Sequence, residues 1–178
     1  MAAGPADFRA LYEAEFNYVY NSLRRLGVAE RDLEDLIHEV FLAFHRGRDH
    51  YDPARPLRPW LFGIAFRISS DYRRRAQHRY EVPEEREVAD ATPGADEQLV
   101  LRERRQLVLR ALDTLDLDRR AVFVMHEIDG CTMPEIATVL AAPLNTLYSR
   151  LRLAREEFAT FVRRHQRNED KGMKNESR

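Results

Sequence analysis

Apolar residues recur at three- and four-residue spacing along nearly all of this chain, and nothing reads as an alternating strand bounded by hairpin turns. A chain patterned in this way buries its apolar residues as packed helices, so an all-α fold is expected. Phe8, Leu11, Tyr12, Phe16, Val19 and Leu23 form the apolar side of a first helix over Phe8–Leu26, with Gly27 as its C-cap. Further helices are expected over Asp32–His45, Trp60–Arg75, Leu99–Leu112 and Arg119–Ile128. Between the second and third, Gly47–Pro59 carries three prolines and reads as a loop.

Periodicity fails between Tyr80 and Ala95, a segment rich in Glu that contains Pro83, Pro93 and Gly94. The chain therefore divides into a helical domain over residues 1–79, a flexible acidic linker over 80–97, a second helical domain over 98–164 and a polar, frayed tail over 165–178. The net charge of −1 does not announce a nucleic acid. Its distribution says more: Arg55, Arg58, Arg67, Arg73, Arg74, Arg75 and Arg79 have only Asp71 among them, whereas Glu81 to Glu97 is opposed by Arg86 alone. An arginine run that closes an amphipathic helix is either a solvated face or a phosphate-binding footprint.

Cys131 is the single cysteine, which excludes an intrachain disulfide and a multi-cysteine metal site. The first residues lack a basic segment followed by an apolar core, and no apolar run approaches the roughly 20 residues of a membrane span. A soluble, cytoplasmic protein is expected.

The segment Thr132–Phe158 reads as two helices broken at Ala141-Ala142-Pro143. Thr132 is placed to cap the first, with Glu135 three residues on, and Ile136, Val139 and Leu140 share one face. Pro143 suits the start of the second, whose stripe is Leu144, Leu147, Leu151, Ala154 and Phe158. The opposite side presents Asn145, Tyr148, Ser149, Arg152 and Arg155, residue types that read base edges and phosphates from a helix-turn-helix. Ordinary packing with solvated arginines is the alternative. Ala141 stands where such a turn often needs positive φ, at a cost of about 1 kcal/mol for a residue other than glycine.

In the helix Asp32–Arg46, Leu33, Ile37, Val40, Phe41 and Phe44 account for the core. Asp35, His38, Glu39, Leu42 and Arg46 form a second stripe. Leu42 inside a charged stripe suggests an apolar anchor for a protein partner, against the alternative of one exposed leucine. Asp35, His38 and Glu39 also share the spacing of metal ligands, but no companion His-x-x-x-His or Glu-x-x-His motif appears, so no metal site is expected.

In this order, the acidic helix, the Trp-Leu helix ending in arginines, the linker and the C-terminal helix pair resemble a bacterial RNA polymerase sigma factor of the extracytoplasmic-function type. Asp35-Leu36-Ile37-His38-Glu39-Val40-Phe41 is similar to that family's Asp-Leu-x-Gln-Glu-x-Phe signature. Trp60-Leu61-Phe62-Gly63-Ile64-Ala65 and Asp71-Tyr72-Arg73-Arg74 are similar to its Trp-Leu-x-x-Ile-Ala helix. Glu135-Ile136-Ala137, Pro143, Thr146, Ser149-Arg150-Leu151 and Ala154-Arg155 match its C-terminal motif. The resemblance covers about Phe8 to Arg164.

The resemblance implies that Asp35, His38, Glu39 and Leu42 dock on the clamp helices of the largest subunit of core RNA polymerase. It implies that Arg48, Tyr51, Arg67, Arg73 and Arg74 serve the minus-ten promoter element, with Tyr51 either stacking on a flipped base or packing its own loop. Asn145, Tyr148, Ser149, Arg152 and Arg155 would read the minus-thirty-five element, and an anti-sigma factor is an expected further partner. His38 stands in place of the family's usual Gln, Arg67 in place of its Asn, and Tyr148 and Leu153 in place of commonly basic residues. These departures predict an upstream element unlike the family's commonest one. No catalytic residue and no cofactor are expected. The rival readings are a helix-turn-helix regulator that binds DNA alone and, more remotely, a metal-dependent hydrolase using Asp35, His38 and Glu39.

Overall fold

The computed structural model describes residues 5–79 and 96–176 and contains no strand among them. Among the described residues seven α-helices follow one another: α1 (Pro5–Arg25), α2 (Leu33–Gly47), α3 (Leu57–Arg79), α4 (Asp96–Asp113), α5 (Leu117–Phe123), α6 (Met133–Leu140) and α7 (Leu144–Glu176). Of the expected linker over 80–97, residues 80–95 lie outside the described residues, and its last two positions, Asp96 and Glu97, belong to α4.

Helices α1, α2 and α3 pack on one another around Val19, Leu23, Leu26, Ile37, Val40, Phe41, Phe44, Leu61 and Phe62. Short turns set their angles. Gly27, at φ 91°, ends α1 as its position predicts, and Val28 donates back to the Leu23 carbonyl. Two side chains then tie the turn between α1 and α2 in place: Tyr20 donates to Glu30 and Tyr72 of α3 donates to Asp32, each at 2.6 Å. Helix α3 starts three residues before the expected Trp60. Pro59 falls in its first turn, where a missing N–H costs no hydrogen bond.

The second unit is built on α7, which α4, α5 and α6 contact along its length. Asp116 caps α5 by accepting from the Arg119 N–H at 2.9 Å. Arg120 is buried in this unit and ion-pairs with Asp113 at 3.0 Å. Beyond Phe123 the helix widens into a π turn over Val124–Ile128, and Asp129 donates its N–H to the Val124 carbonyl at 3.0 Å. Helix α7 does not stop near His165. It continues through the polar segment, which no proline interrupts, to Glu176.

The two units lie against each other. α3 meets α6, α1 meets α4, and one continuous cluster of buried residues runs from Val19 to Ala154 across both.

Candidate functional site

Three surfaces carry the residues singled out in the sequence. The first is the outer face of α2. Leu33, Leu36, Ile37, Val40, Phe41 and Phe44 are buried, which turns Asp35, His38, Glu39 and Leu42 outward. Leu42 is 51% exposed among these polar side chains. The side chains expected to dock a partner therefore share one preformed helical face, and nothing has to move to expose them.

The second surface joins the loop after α2 to α3. Tyr51 is half-buried and stacks on Trp60, with ring centroids 4.9 Å apart, while its hydroxyl donates to the Arg55 carbonyl at 2.6 Å. This is the loop-packing arrangement, so in this state the ring is engaged within the protein. Arg48 starts the short 3-10 turn that leads to Tyr51, whose N–H donates to the Arg48 carbonyl. Along α3, Arg67 and Arg74 are exposed and Arg73 is half-buried. Arg74 pairs with Asp71 at 2.7 Å.

The third surface is the helix pair α6 and α7. The Thr132 N–H and hydroxyl both donate to the Glu135 carboxylate at 2.7 Å, the capping arrangement the sequence predicts. These two donors hold the Glu135 carboxyl below its ordinary range. Ala141 closes α6 at φ 50° and ψ 45°, in the left-handed region the turn was expected to require. Leu147, Leu151 and Ala154 are buried, and Phe158 stacks on Phe123.

Leu144 departs from its stripe. Standing in the first turn of α7, ahead of the face that α6 covers, it is 43% exposed. It therefore joins Asn145, Ser149 and the 56% exposed Tyr148 on the outer surface. The charged residues of the same helix are engaged. Arg155 grips Glu127 of the π turn through Nε and Nη2, at 2.8 and 2.6 Å, and Arg152 pairs with Glu156 at 2.7 Å. The tip of α7 consequently offers Leu144, Asn145, Tyr148 and Ser149, whereas the guanidinium groups further along are held by carboxylates. Sequence spacing gave no sign of Leu144 or Glu127 in these roles.

Among the described residues no helix is long and apolar enough to cross a membrane. Cys131 is buried, and burial together with Asp129 and Glu135 pushes its thiol up to about 11, away from thiolate chemistry.

Two family models match this architecture unit by unit: sigma-70 region 2 over residues 11–79 and sigma-70 region 4 over residues 105–158. The RNA polymerase sigma factor CnrH of Cupriavidus metallidurans is 30% identical over 148 residues, covering 78% of each chain. The chain belongs to the sigma-70 family of RNA polymerase sigma factors. Its branch is the extracytoplasmic-function type: the ECF RNA polymerase sigma-E factor of Escherichia coli is 30% identical over 140 residues, covering 72% of this chain and 73% of its own. A solved structure of CnrH in complex with the cytosolic domain of CnrY has a TM-score of 0.63 at 25% identity and covers 90% of each chain. In sigma-70 terms, region 2 runs from within α1 to the end of α3, and region 4 runs from the middle of α4 through α5 and α6 into the first half of α7.

Proposed function

We propose that this sigma factor docks on core RNA polymerase through Asp35, His38, Glu39 and Leu42, and that it carries promoter specificity at the tip of α7. The observation that supports this most is the division of α2 into a fully buried apolar half and an exposed half in which Leu42 sits among Asp35, His38 and Glu39. Such a face suits a protein partner with complementary positive charge and a pocket for one apolar anchor. The clamp helices of the polymerase's largest subunit are the partner assigned to it.

Promoter DNA is then contacted at two places. Arg67, Arg73 and Arg74 hold the backbone near the minus-ten element, a salt-dependent contribution without base information. Arg48 and Tyr51 lie in the loop beside them, and Tyr51 would have to leave Trp60 to stack on a base. At the minus-thirty-five element Asn145 suits adenine, and Leu144 and Tyr148 offer apolar surface to a thymine methyl. Ser149 serves either base type. Arg152 and Arg155 reach phosphates by exchanging Glu156 and Glu127 for DNA, a small cost because exposed ion pairs contribute only about 0–1 kcal/mol.

The chain works by binding and strand separation, and bond formation belongs to the polymerase. A cytoplasmic location and an anti-sigma partner complete the reading. The CnrH structure shows that relative bound to the cytosolic domain of CnrY, and the exposed faces of α2 and α7 are the surfaces such a partner would cover.

Assembly tests the docking face. Asp35→Arg or Glu39→Arg should abolish capture of core polymerase while circular dichroism and melting remain those of the parent. Folded variants that still assemble normally would overturn the assignment.

A further inference from the structure

The leading turns of α7 stand clear of the protein. Pro143, Leu144, Asn145, Thr146, Tyr148 and Ser149 are all exposed, and Leu147 alone in this stretch is buried. Polar residues account for their own exposure, but Leu144 at 43% and Tyr148 at 56% leave apolar surface in water. These two are four residues apart, which makes their side chains neighbours with Cβ atoms about 5–6 Å from each other. Asn145 and Ser149 have the same spacing and lie roughly 100° further round the helix. The tip therefore carries two parallel ridges, one apolar and one of short hydrogen-bonding groups. Neither bears a formal charge.

Local structure decides which groups lead. Ala141 at φ 50° closes α6, and the Ala142 N–H donates back to the Ala137 carbonyl at 3.3 Å. Helix α7 then begins at Leu144, directly after Pro143, and the Leu147 N–H donates to the Pro143 carbonyl at 3.1 Å. Leu147, Leu151 and Ala154 hold its inner side in the core, so the N-terminal end projects. In a helix-turn-helix that end of the second helix meets the base edges. Both ridges fall inside the sigma-70 region 4 match.

The arginines come later along the axis and are engaged. Arg152 follows Asn145 by seven residues, about 10 Å at the helical rise, and pairs with Glu156. Arg155 follows by ten, about 15 Å, and pairs with Glu127. Arg150 is tied to Asp118 of α5. Guanine is read chiefly by Arg or Lys at O6 and N7, adenine by Asn or Gln at N6 and N7, and thymine by apolar contact with its C5 methyl. The leading turns hold the second and third kinds of reader and lack the first.

We propose that Leu144 and Tyr148 form a site for C5-methylated pyrimidines, in which the apolar ridge packs on the methyl groups of two successive base pairs while Asn145 pairs with an adenine beside them. This rests on the promoter reading above and deepens it by fixing the chemical group that is recognised. The upstream element then carries consecutive A·T pairs under the tip of α7. The dimensions agree: a ridge about 5–6 Å long covers one to two base-pair steps of about 3.4 Å. Removing one methyl from water is worth about fourfold in affinity. Cytosine with a C5 methyl presents the same group to the major groove, so the site responds to cytosine methylation as it does to thymine.

Atomic substitution in the DNA tests this. Holoenzyme assembled from the full chain first selects its upstream element from a randomised library. The selected duplex is then remade with deoxyuridine for thymidine, which removes the methyl and keeps the base pairing. The parent should bind the deoxyuridine duplex about fourfold more weakly for each methyl contacted, and about sixteenfold for two. At a contacted position 5-methylcytosine should bind about fourfold better than cytosine. Leu144→Ala and Tyr148→Ala should each weaken binding to the thymidine duplex and shrink its advantage over deoxyuridine, with helicity unchanged. Asn145→Ala should keep that advantage and lose the preference for adenine.

Equal binding by the parent of duplexes that differ only in a C5 methyl overturns the methyl site, as does a methyl effect undiminished in both variants. Guanine or cytosine selected at the positions those variants disturb overturns it too, and leaves the ridge to a protein partner. If no upstream element is selected with core polymerase, the promoter reading falls instead. The full chain titrated alone at low salt onto A·T and A·U duplexes then decides the methyl site: a thymidine preference erased by Leu144→Ala and Tyr148→Ala supports it, and equal binding overturns it.

Discussion

The outer face of α2 and the tip of α7 are both polar sides of amphipathic helices, yet they meet the solvent differently. On α2 the charged groups Asp35 and Glu39 stand around the exposed Leu42. On α7 Arg152 and Arg155 are held by Glu156 and Glu127, and Leu144, Asn145, Tyr148 and Ser149 fill the leading turns without a formal charge. On the roles proposed above, the docking face would present its charge directly to a partner, whereas the recognition helix would present hydrogen-bonding and apolar groups first and keep its charge in exposed ion pairs. Association with polymerase should therefore depend on charge and on one apolar anchor. Promoter discrimination should depend on short-range shape and hydrogen bonding.

The sharpest contrast within α7 itself is between two leucines three residues apart. Leu147 is fully buried, so Leu147→Ala should cost about 2–5 kcal/mol in urea unfolding. Leu144→Ala should stay within about 0.5 kcal/mol, because that side chain is exposed. On α2, Leu42→Ala should weaken holoenzyme formation by about 2 kcal/mol in a titration with core polymerase, with unfolding unchanged. An equal loss of stability and affinity would mean that Leu42 is a packing residue.

The base-reading and phosphate-reading roles on α7 separate by their signatures. Asn145→Ala should cost about 1–3 kcal/mol at one base pair and flatten preference there when holoenzyme is scored on a library of upstream elements. Arg155→Ala should weaken all sequences alike and lower the salt slope of binding by about 1. The reverse pattern would exchange their roles.

Much of this architecture was legible beforehand, because helical periodicity reports burial directly. The buried residues of α2, the Thr132 and Glu135 cap and the left-handed Ala141 all follow from local rules that read a few neighbouring residues. Leu144 escaped because a stripe gives the phase of a helix but not which neighbour covers its first turn. Tyr51 on Trp60 and Arg155 on Glu127 depend on tertiary neighbours. The hydrogen bond from Tyr18 to Asp129 was further out of reach, since no periodic signal joins groups 111 residues apart. The extension of α7 to Glu176 reflects the absence of a proline stop, which polarity alone concealed.

Smaller effects probe the turn. Ala141→Gly should stabilise the chain by up to about 1 kcal/mol, because glycine relieves the positive φ at an exposed position. Glu135→Ala should destabilise slightly at neutral pH. The Glu135 carboxyl is held below its ordinary value of 4.5, so its contribution is present above that value and disappears as pH falls through the lowered folded value. The gap between parent and Glu135→Ala, followed by thermal melts across acid pH, should close in that direction.

The most direct test of the central claim is transcription by core RNA polymerase, with and without this chain, on a library of genomic fragments. Specific transcripts should appear only when the chain is added, share an upstream element and a minus-ten element, and vanish with Glu39→Arg. A chain that protects duplex sites alone while adding no transcript to core polymerase would contradict it.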